Sequence, residues 1–193
     1  MEYLILSWSD VYNLTLQLSE RIVESGFIPD LIIGIARGGW IPARILSDVL
    51  YANAMFNVRI EYYTDLGVHG REPKITQPLS VPIADKNVLI IDEVADSGES
   101  LYHAIEYVKK LGAKNLRSAV LHLKPTSRVV PDFYIQCVTS WTVYPWEIRE
   151  SIIALVQKFK EENPELDMLA IRNKLVFEVG FEPTVTDYFI KRL

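Results

Sequence analysis

The stretch Asp92-Glu93-Val94-Ala95-Asp96-Ser97-Gly98-Glu99-Ser100 gathers residue types that bind phosphate and hydroxyl groups. Placed at the start of a helix, the backbone N–H groups from Ser97 to Ser100 are unpaired donors, and the helix dipole favours an anion there. Gly98 admits close backbone approach, and the Ser97 and Ser100 hydroxyls add donors. The adjacent acids Asp92 and Glu93 suit sugar hydroxyls or a hard cation such as Mg²⁺, which takes carboxylate oxygens. Phosphate, hydroxyls and magnesium together describe a phosphorylated sugar. An isolated S-G-x-S would be an ordinary capped helix start; two acids, a third acid and a Gly/Ser cradle after an apolar run are more specific. The lysine of a P-loop and the G-x-G-x-x-G spacing are both missing, so nucleoside triphosphates and dinucleotides fit poorly.

Two further groups invite chemistry. In Ala36-Arg37-Gly38-Gly39 the glycines expose backbone donors, and the arginine adds a cationic fork matched to phosphate. Alone, that stretch would be a tight turn with a solvated arginine; its place after an apolar run favours a binding role. Lys124 and the segment Trp141-Thr-Val143-Tyr-Pro-Trp-Glu147 also follow apolar runs. Taken alone, the lysine reads as a surface charge and Trp141 as core.

These groups need elements to hold them. Val88–Ile91 is apolar without alternation, the pattern of a strand buried on both faces of a parallel sheet. Strands are also expected at residues 30–36, 57–63, 117–123 and 133–138, with a short return at 81–83. Helices are expected at about 10–25, 42–50 and 101–111, the last with Lys109 and Lys110 in its final turn. The alternation predicts an α/β fold, a mostly parallel twisted sheet flanked by helices, with ligands beyond the strands' carboxyl ends. Residues 64–80, rich in Gly, Pro and charge, read as a long loop. Ile148, Ile152, Leu155, Val156 and Phe159 mark an amphipathic helix, and Asn163-Pro164 a cap for a second. The expected organisation is a core over 1–147 and a C-terminal helical extension over 148–193.

Composition excludes several classes. The net charge of −5 argues against nucleic acid held by general basicity. No apolar run is long enough to span a bilayer, and the first residues lack a basic signal start, so a cytoplasmic protein is expected. The single cysteine, Cys137, allows no internal disulfide, and the histidines show no zinc spacing.

Ile90-Ile-Asp-Glu-Val-Ala-Asp-Ser-Gly-Glu-Ser-Leu101 resembles the phosphoribosyl-diphosphate (PRPP) motif of type I phosphoribosyltransferases, and the resemblance spans about residues 30–147. It implies that Asp92 and Glu93 meet the ribose hydroxyls and that Asp96, Ser97, Gly98, Glu99 and Ser100 hold the 5-phosphate. Arg37, Gly38 and Gly39 would form the pyrophosphate loop, often with a cis peptide, here Ala36–Arg37; residues 64–80 would be the lid. Lys-Pro at 124 and W-x-x-x-P-W-E at 141–147 are similar to microbial xanthine–guanine and hypoxanthine–guanine phosphoribosyltransferases. That similarity implies base binding by Lys124, Trp141 and the backbone near Val143. It also implies magnesium at Asp92, Glu93 and Glu147, partly through water. The activity implied is purine salvage, joining PRPP to N9 of a 6-oxopurine with Asp96 as general base. Adenine as substrate, or a PRPP- or purine-sensing regulator, are the alternatives. A homodimer or homotetramer is expected, with the tail covering the sheet or forming a subunit contact.

Overall fold

The structure is a computed structural model and describes residues 2–63 and 72–193. In chain order the elements are β1 (Tyr3–Ile5), α1 (Trp8–Glu24), β2 (Leu31–Ala36), α2 (Trp40–Val49), β3 (Met55–Tyr63), β4 (Glu72–Gln77) and β5 (Asn87–Ala95). There follow α3 (Glu99–Lys110), β6 (Asn115–Leu123), β7 (Phe133–Cys137), β8 (Trp141–Val143), α4 (Ile148–Glu162), α5 (Met168–Lys174) and α6 (Pro183–Ile190). Two units emerge, one of Val11–Val138 and one of Met1–Asp10 with Thr139–Leu193.

The larger unit holds a six-stranded sheet in the order β4-β3-β2-β5-β6-β7. All its pairings are parallel except β3 with β4. Strand parity sorts the helices. Leu101, Ala104 and Val108 of α3 cluster with Leu31, Ile33, Ile35, Val88 and Ile90 on one face. Gly34, of opposite parity, lies against Trp40 and Ala43 of α2 on the other. Helices therefore flank the sheet on both sides, as the unbroken apolar runs require.

The central strands part at a defined place. β2 pairs with β5 as far as Gly34↔Ile91, whereas β5 stays paired with β6 to Ala95↔Leu123. β2 instead keeps β3 as neighbour through Ala36↔Arg59. Connections leave the strands toward opposite faces here, which opens the crevice where such sheets take ligands. Asp92 and Glu93 lie inside β5 on the stretch that has lost its β2 neighbour.

In the smaller unit β1 pairs in parallel with β8, Tyr3↔Trp141 through Ile5↔Val143. Val143, Ile152, Leu155, Phe159, Ile171 and Leu175 form its core. Asp167 caps α5 by accepting the Ala170 N–H at 2.7 Å, and Leu175–Val179 continues as a π-helical turn.

Several expectations are corrected. The division expected after residue 147 falls inside the smaller unit, because β1 draws the first residues to β8 and to the helical tail. The loop expected over 64–80 is a strand over Glu72–Gln77; Pro73 is tolerated on this edge strand, where a missing donor costs little. Residues 64–71 of the expected lid lie outside the described residues. Residues 81–83 form no strand, although Ile83 is buried in the core. The second tail helix is capped by Asp167 rather than by Asn163-Pro164.

His122 sits fully buried on β6, in register with Val94 and Gln136. Burial, opposed by a hydrogen bond with Gln136 and aided by nearby Lys124, pulls its pKa down to about 4. An unfolded histidine protonates near about pH 6.5, so this residue's contribution is complete above that value and is lost as pH falls through about 4. Linkage bounds the loss at about 3 kcal/mol. His122→Phe, which cannot titrate, should remove that acid sensitivity. Denaturant unfolding of both proteins from about pH 7 to about pH 4 should show the parent losing relative stability; a constant gap would mean that His122 is not held neutral.

Candidate active site

β5 runs straight into the acids and then the cradle. Asp92 and Glu93 are buried within the strand, Ala95 ends it, and α3 begins at Glu99. Between them Gly98 adopts φ +76°, a left-handed conformation open to glycine at little cost. A side chain at Gly98 would also overlap Ser127 Oγ and come within 3.0 Å of the Val129 nitrogen. Residues 92–101 line a cleft of about 220 Å³, with Asp96 and Ser97 exposed to solvent. Gly98 at the start of α3 supplies no side-chain cap, and the Glu99 N–H donates to Ser97 Oγ at 3.4 Å.

The turn after β2 closes the other side. The Ala36–Arg37 peptide is cis, as the resemblance implies. A Cβ at Gly38 would overlap the Glu93 carboxylate. One at Gly39 would stand 2.5 Å from the Ile91 carbonyl oxygen and 2.7 Å from that of Ile35. The turn therefore lies flat on the ends of both central strands, with the Arg37 side chain exposed. Burial first, and the neighbouring Asp92 second, raise the Glu93 carboxyl well above the usual range, while Arg37 pulls weakly the other way. Two adjacent buried carboxyls share negative charge poorly.

Residues 124–129 wrap the outer side of the cradle, a role their sequence does not advertise. The Lys124 N–H donates to the Ala95 carbonyl at 2.9 Å, and the Arg128 N–H to that of Ser97 at 2.9 Å. Between them Thr126 Oγ1 donates to the Asp96 carbonyl at 3.1 Å and lies 3.4 Å from its Oδ1. The Arg128 guanidinium meets the Glu99 carboxylate at 2.8 Å and stacks 4.0 Å over the Tyr102 ring. Because β6 pairs in parallel with β5, the loops leaving both strands run side by side.

Arg37, Gly38, Gly39, Asp92, Glu93 and residues 96–100 thus come together, with Lys124 at the cradle's edge. Trp141, Val143 and Glu147 belong to the smaller unit. Trp141 is half-buried beside Tyr3, with ring centroids 6.2 Å apart. The Val143 side chain is fully buried, and its carbonyl accepts the Leu6 N–H at 3.0 Å. Glu147 precedes α4 without capping it through its side chain. Among the described residues no three His, Cys, Asp or Glu side chains form a ready metal site, and no helix is long and apolar enough to cross a membrane.

The two glycines of the turn should respond differently to substitution. Gly39→Ala meets backbone of two strands and should cost about 1–3 kcal/mol in chemical denaturation. Gly38→Ala meets a side chain, which can shift, and should cost less while displacing Glu93. Equal stability of Gly39→Ala and the parent would show that the turn does not rest on the strands.

A family model described as the phosphoribosyl transferase domain matches residues 5–151. A hypoxanthine-guanine phosphoribosyltransferase of Schizosaccharomyces pombe is 32% identical, the match covering 76% of this chain and 90% of the relative. The crystal structure of a purine phosphoribosyltransferase from Pyrococcus horikoshii Ot3 superposes with a TM-score of 0.68. It is 40% identical, over 76% of this chain and 95% of the other. A Neisseria gonorrhoeae protein with bound ppGpp superposes with a TM-score of 0.69 at 30% identity, over 76% of this chain and 89% of the other. The family model and relatives of this kind lead to one assignment: the chain belongs to the phosphoribosyl transferase family, and it is a pentosyl-transferring enzyme.

Proposed function

We propose that the enzyme transfers the 5-phosphoribosyl group of PRPP to N9 of a 6-oxopurine and releases pyrophosphate. The observation that carries this reading is the cleft lined by residues 92–101, closed on one side by the Arg37–Gly39 turn. Relatives named for hypoxanthine, guanine and xanthine supply the base class.

Each residue then has a task. Backbone donors and hydroxyls of residues 96–100 hold the 5-phosphate at the start of α3. Asp92 and Glu93 accept the ribose hydroxyls. The Arg37 fork and the donors of Gly38 and Gly39 hold the pyrophosphate and stabilise the charge it gains on leaving. The transition state is oxocarbenium-like with inversion at the anomeric carbon, so positioning and charge stabilisation supply most of the catalysis. Asp96, exposed at the mouth of the cradle, takes the proton from purine N7.

The crowding of two buried carboxyls at Asp92 and Glu93 suits a divalent cation, which relieves repulsion between them. These residues, with Glu147 partly through water, would hold Mg²⁺. Bound there, magnesium supplies charge neutralisation for the phosphates of PRPP. Lys124 faces the purine 6-oxygen, Trp141 stacks on the ring, and backbone near Val143 meets the base edge. A cytoplasmic homodimer or homotetramer belongs to the same reading, and Leu169, Phe177 and Tyr188, exposed on the smaller unit, offer apolar surface for a subunit contact.

A second reading concerns inhibition. The Neisseria gonorrhoeae relative with bound ppGpp supports a guanine nucleotide with additional phosphates as a ligand of this enzyme too. Such a nucleotide should compete with PRPP; uncompetitive or absent inhibition would remove this reading.

The activity is tested by supplying PRPP, magnesium and each of five purine bases, and measuring pyrophosphate. Guanine, hypoxanthine or xanthine should release it stoichiometrically, and adenine should be poor. Asp96→Asn should fold normally and lose about 10²–10⁴-fold in the chemical step, because the amide accepts no proton. Activity within about threefold of the parent would take Asp96 out of that role. Lys124 has donors and no acceptor, so Lys124→Ala should depress kcat/KM for 6-oxopurines selectively. An equal loss with adenine would assign the lysine to the loop and not to the base.

A further inference from the structure

The phosphate cradle contains an acid. Glu99 occupies the first turn of α3 and lines the cleft, where its charge opposes a phosphate. Its carboxylate is not left to act alone. Arg128 Nη1 lies 2.8 Å from Oε1 and 3.1 Å from Oε2, and His103 Nε2 lies 3.4 Å from Oε2. The hydrogen bond from Arg128, with smaller help from His103, holds the Glu99 carboxyl below its usual range, so the acid is ionised at neutral pH.

Arg128 is fixed from several directions. Its N–H donates to the Ser97 carbonyl at 2.9 Å, inside the cradle itself. Its guanidinium lies 4.0 Å over the Tyr102 ring, a contact that favours a cation and orients the fork. The adjoining Ser127 Oγ and Val129 nitrogen occupy the space that a side chain at Gly98 would need. One residue of the neighbouring loop thus grips the cradle by backbone and side chain together.

We infer that Arg128 is a positioning residue for phosphoribosyl binding: it neutralises Glu99 and draws that carboxylate aside, so that the start of α3 accepts the 5-phosphate. The inference rests on the reading of residues 96–100 as the phosphate cradle. It differs from a direct contact between Arg128 and the phosphate in a measurable way. If Arg128 acts by compensating Glu99, it is dispensable once Glu99 carries no charge.

The experiment is a double-mutant cycle read by calorimetric binding of ribose 5-phosphate, with inorganic pyrophosphate as the control ligand. Arg128→Ala should weaken ribose 5-phosphate about tenfold or more, the size expected for one exposed unit charge left beside a phosphate. Glu99→Gln should bind it at least as well as the parent. Adding Glu99→Gln to Arg128→Ala should restore affinity to within about threefold of Glu99→Gln alone. Pyrophosphate affinity should be the same in all four proteins, which a general loss of structure would not allow. A double mutant as weak as Arg128→Ala would overturn the inference and make Arg128 a direct phosphate ligand. Full affinity in Arg128→Ala, with Ser100→Ala weakened, would also overturn it while leaving the cradle in place. Unchanged ribose 5-phosphate binding in every variant, Ser100→Ala included, would instead sink the cradle reading itself.

Discussion

The site depends on one steric constraint: the Arg37–Gly39 turn lies directly on the last residues of the central strands, with no room for a Cβ. Gly39 meets the carbonyls of Ile35 and Ile91, and Gly38 meets the Glu93 carboxylate. This contact is possible only because β2 stops pairing with β5 at Gly34↔Ile91 while β5 runs on beside β6. The divergence opens the crevice, the acids of β5 form its floor, and the turn packs against them. Moving the turn outward by one side chain would detach Arg37 from Asp92 and Glu93, separating the proposed pyrophosphate and ribose contacts.

Electrostatics follows from that packing. Asp92 and Glu93 are buried against the turn, and Glu93 is pushed toward its neutral form by burial and by its neighbour. Arg37, Asp96 and Ser97 remain exposed. The site thus joins a desolvated acidic floor to a solvated rim of donors and one candidate base. The floor resists a second negative charge, so it suits hydroxyl groups or a cation. The rim, at the positive end of the α3 dipole, suits an anion. A phosphorylated sugar, the proposed ligand, carries both kinds of group.

Much of this was legible in the sequence because it is local. The run Val88–Ile91, the acids and the Ser-Gly turn occupy one continuous stretch, and the periodicity of α3 needs only its own residues. What was missed is non-local. β1 and β8 are strands of three residues each, too short to show a period, and they exist only because they pair with each other across most of the chain. β4 carries Pro73 and charge and is a strand only by virtue of β3. Thr126 and Arg128 look like residues of an ordinary polar loop. Their partners Asp96 and Glu99 lie some thirty positions earlier and are reached only through the parallel pairing of β5 with β6.

The same distinction separates the two halves of the proposed chemistry. The proposed phosphoribosyl half rests on residues 92–101 and on the turn that packs on them, which lie together in the fold. The base half is scattered. Lys124 leaves β6 in the larger unit, whereas Trp141 and Val143 sit on β8 in the smaller one. Val143 spends its side chain on the core and its carbonyl on Leu6, so a base edge meeting it must use what backbone capacity remains. Trp141 offers a π-face, which any purine satisfies. In the proposed reading, discrimination among bases would fall chiefly on Lys124, whose backbone is tied at 2.9 Å to Ala95. That tie fixes where the side chain begins, beside the proposed sugar-phosphate cleft.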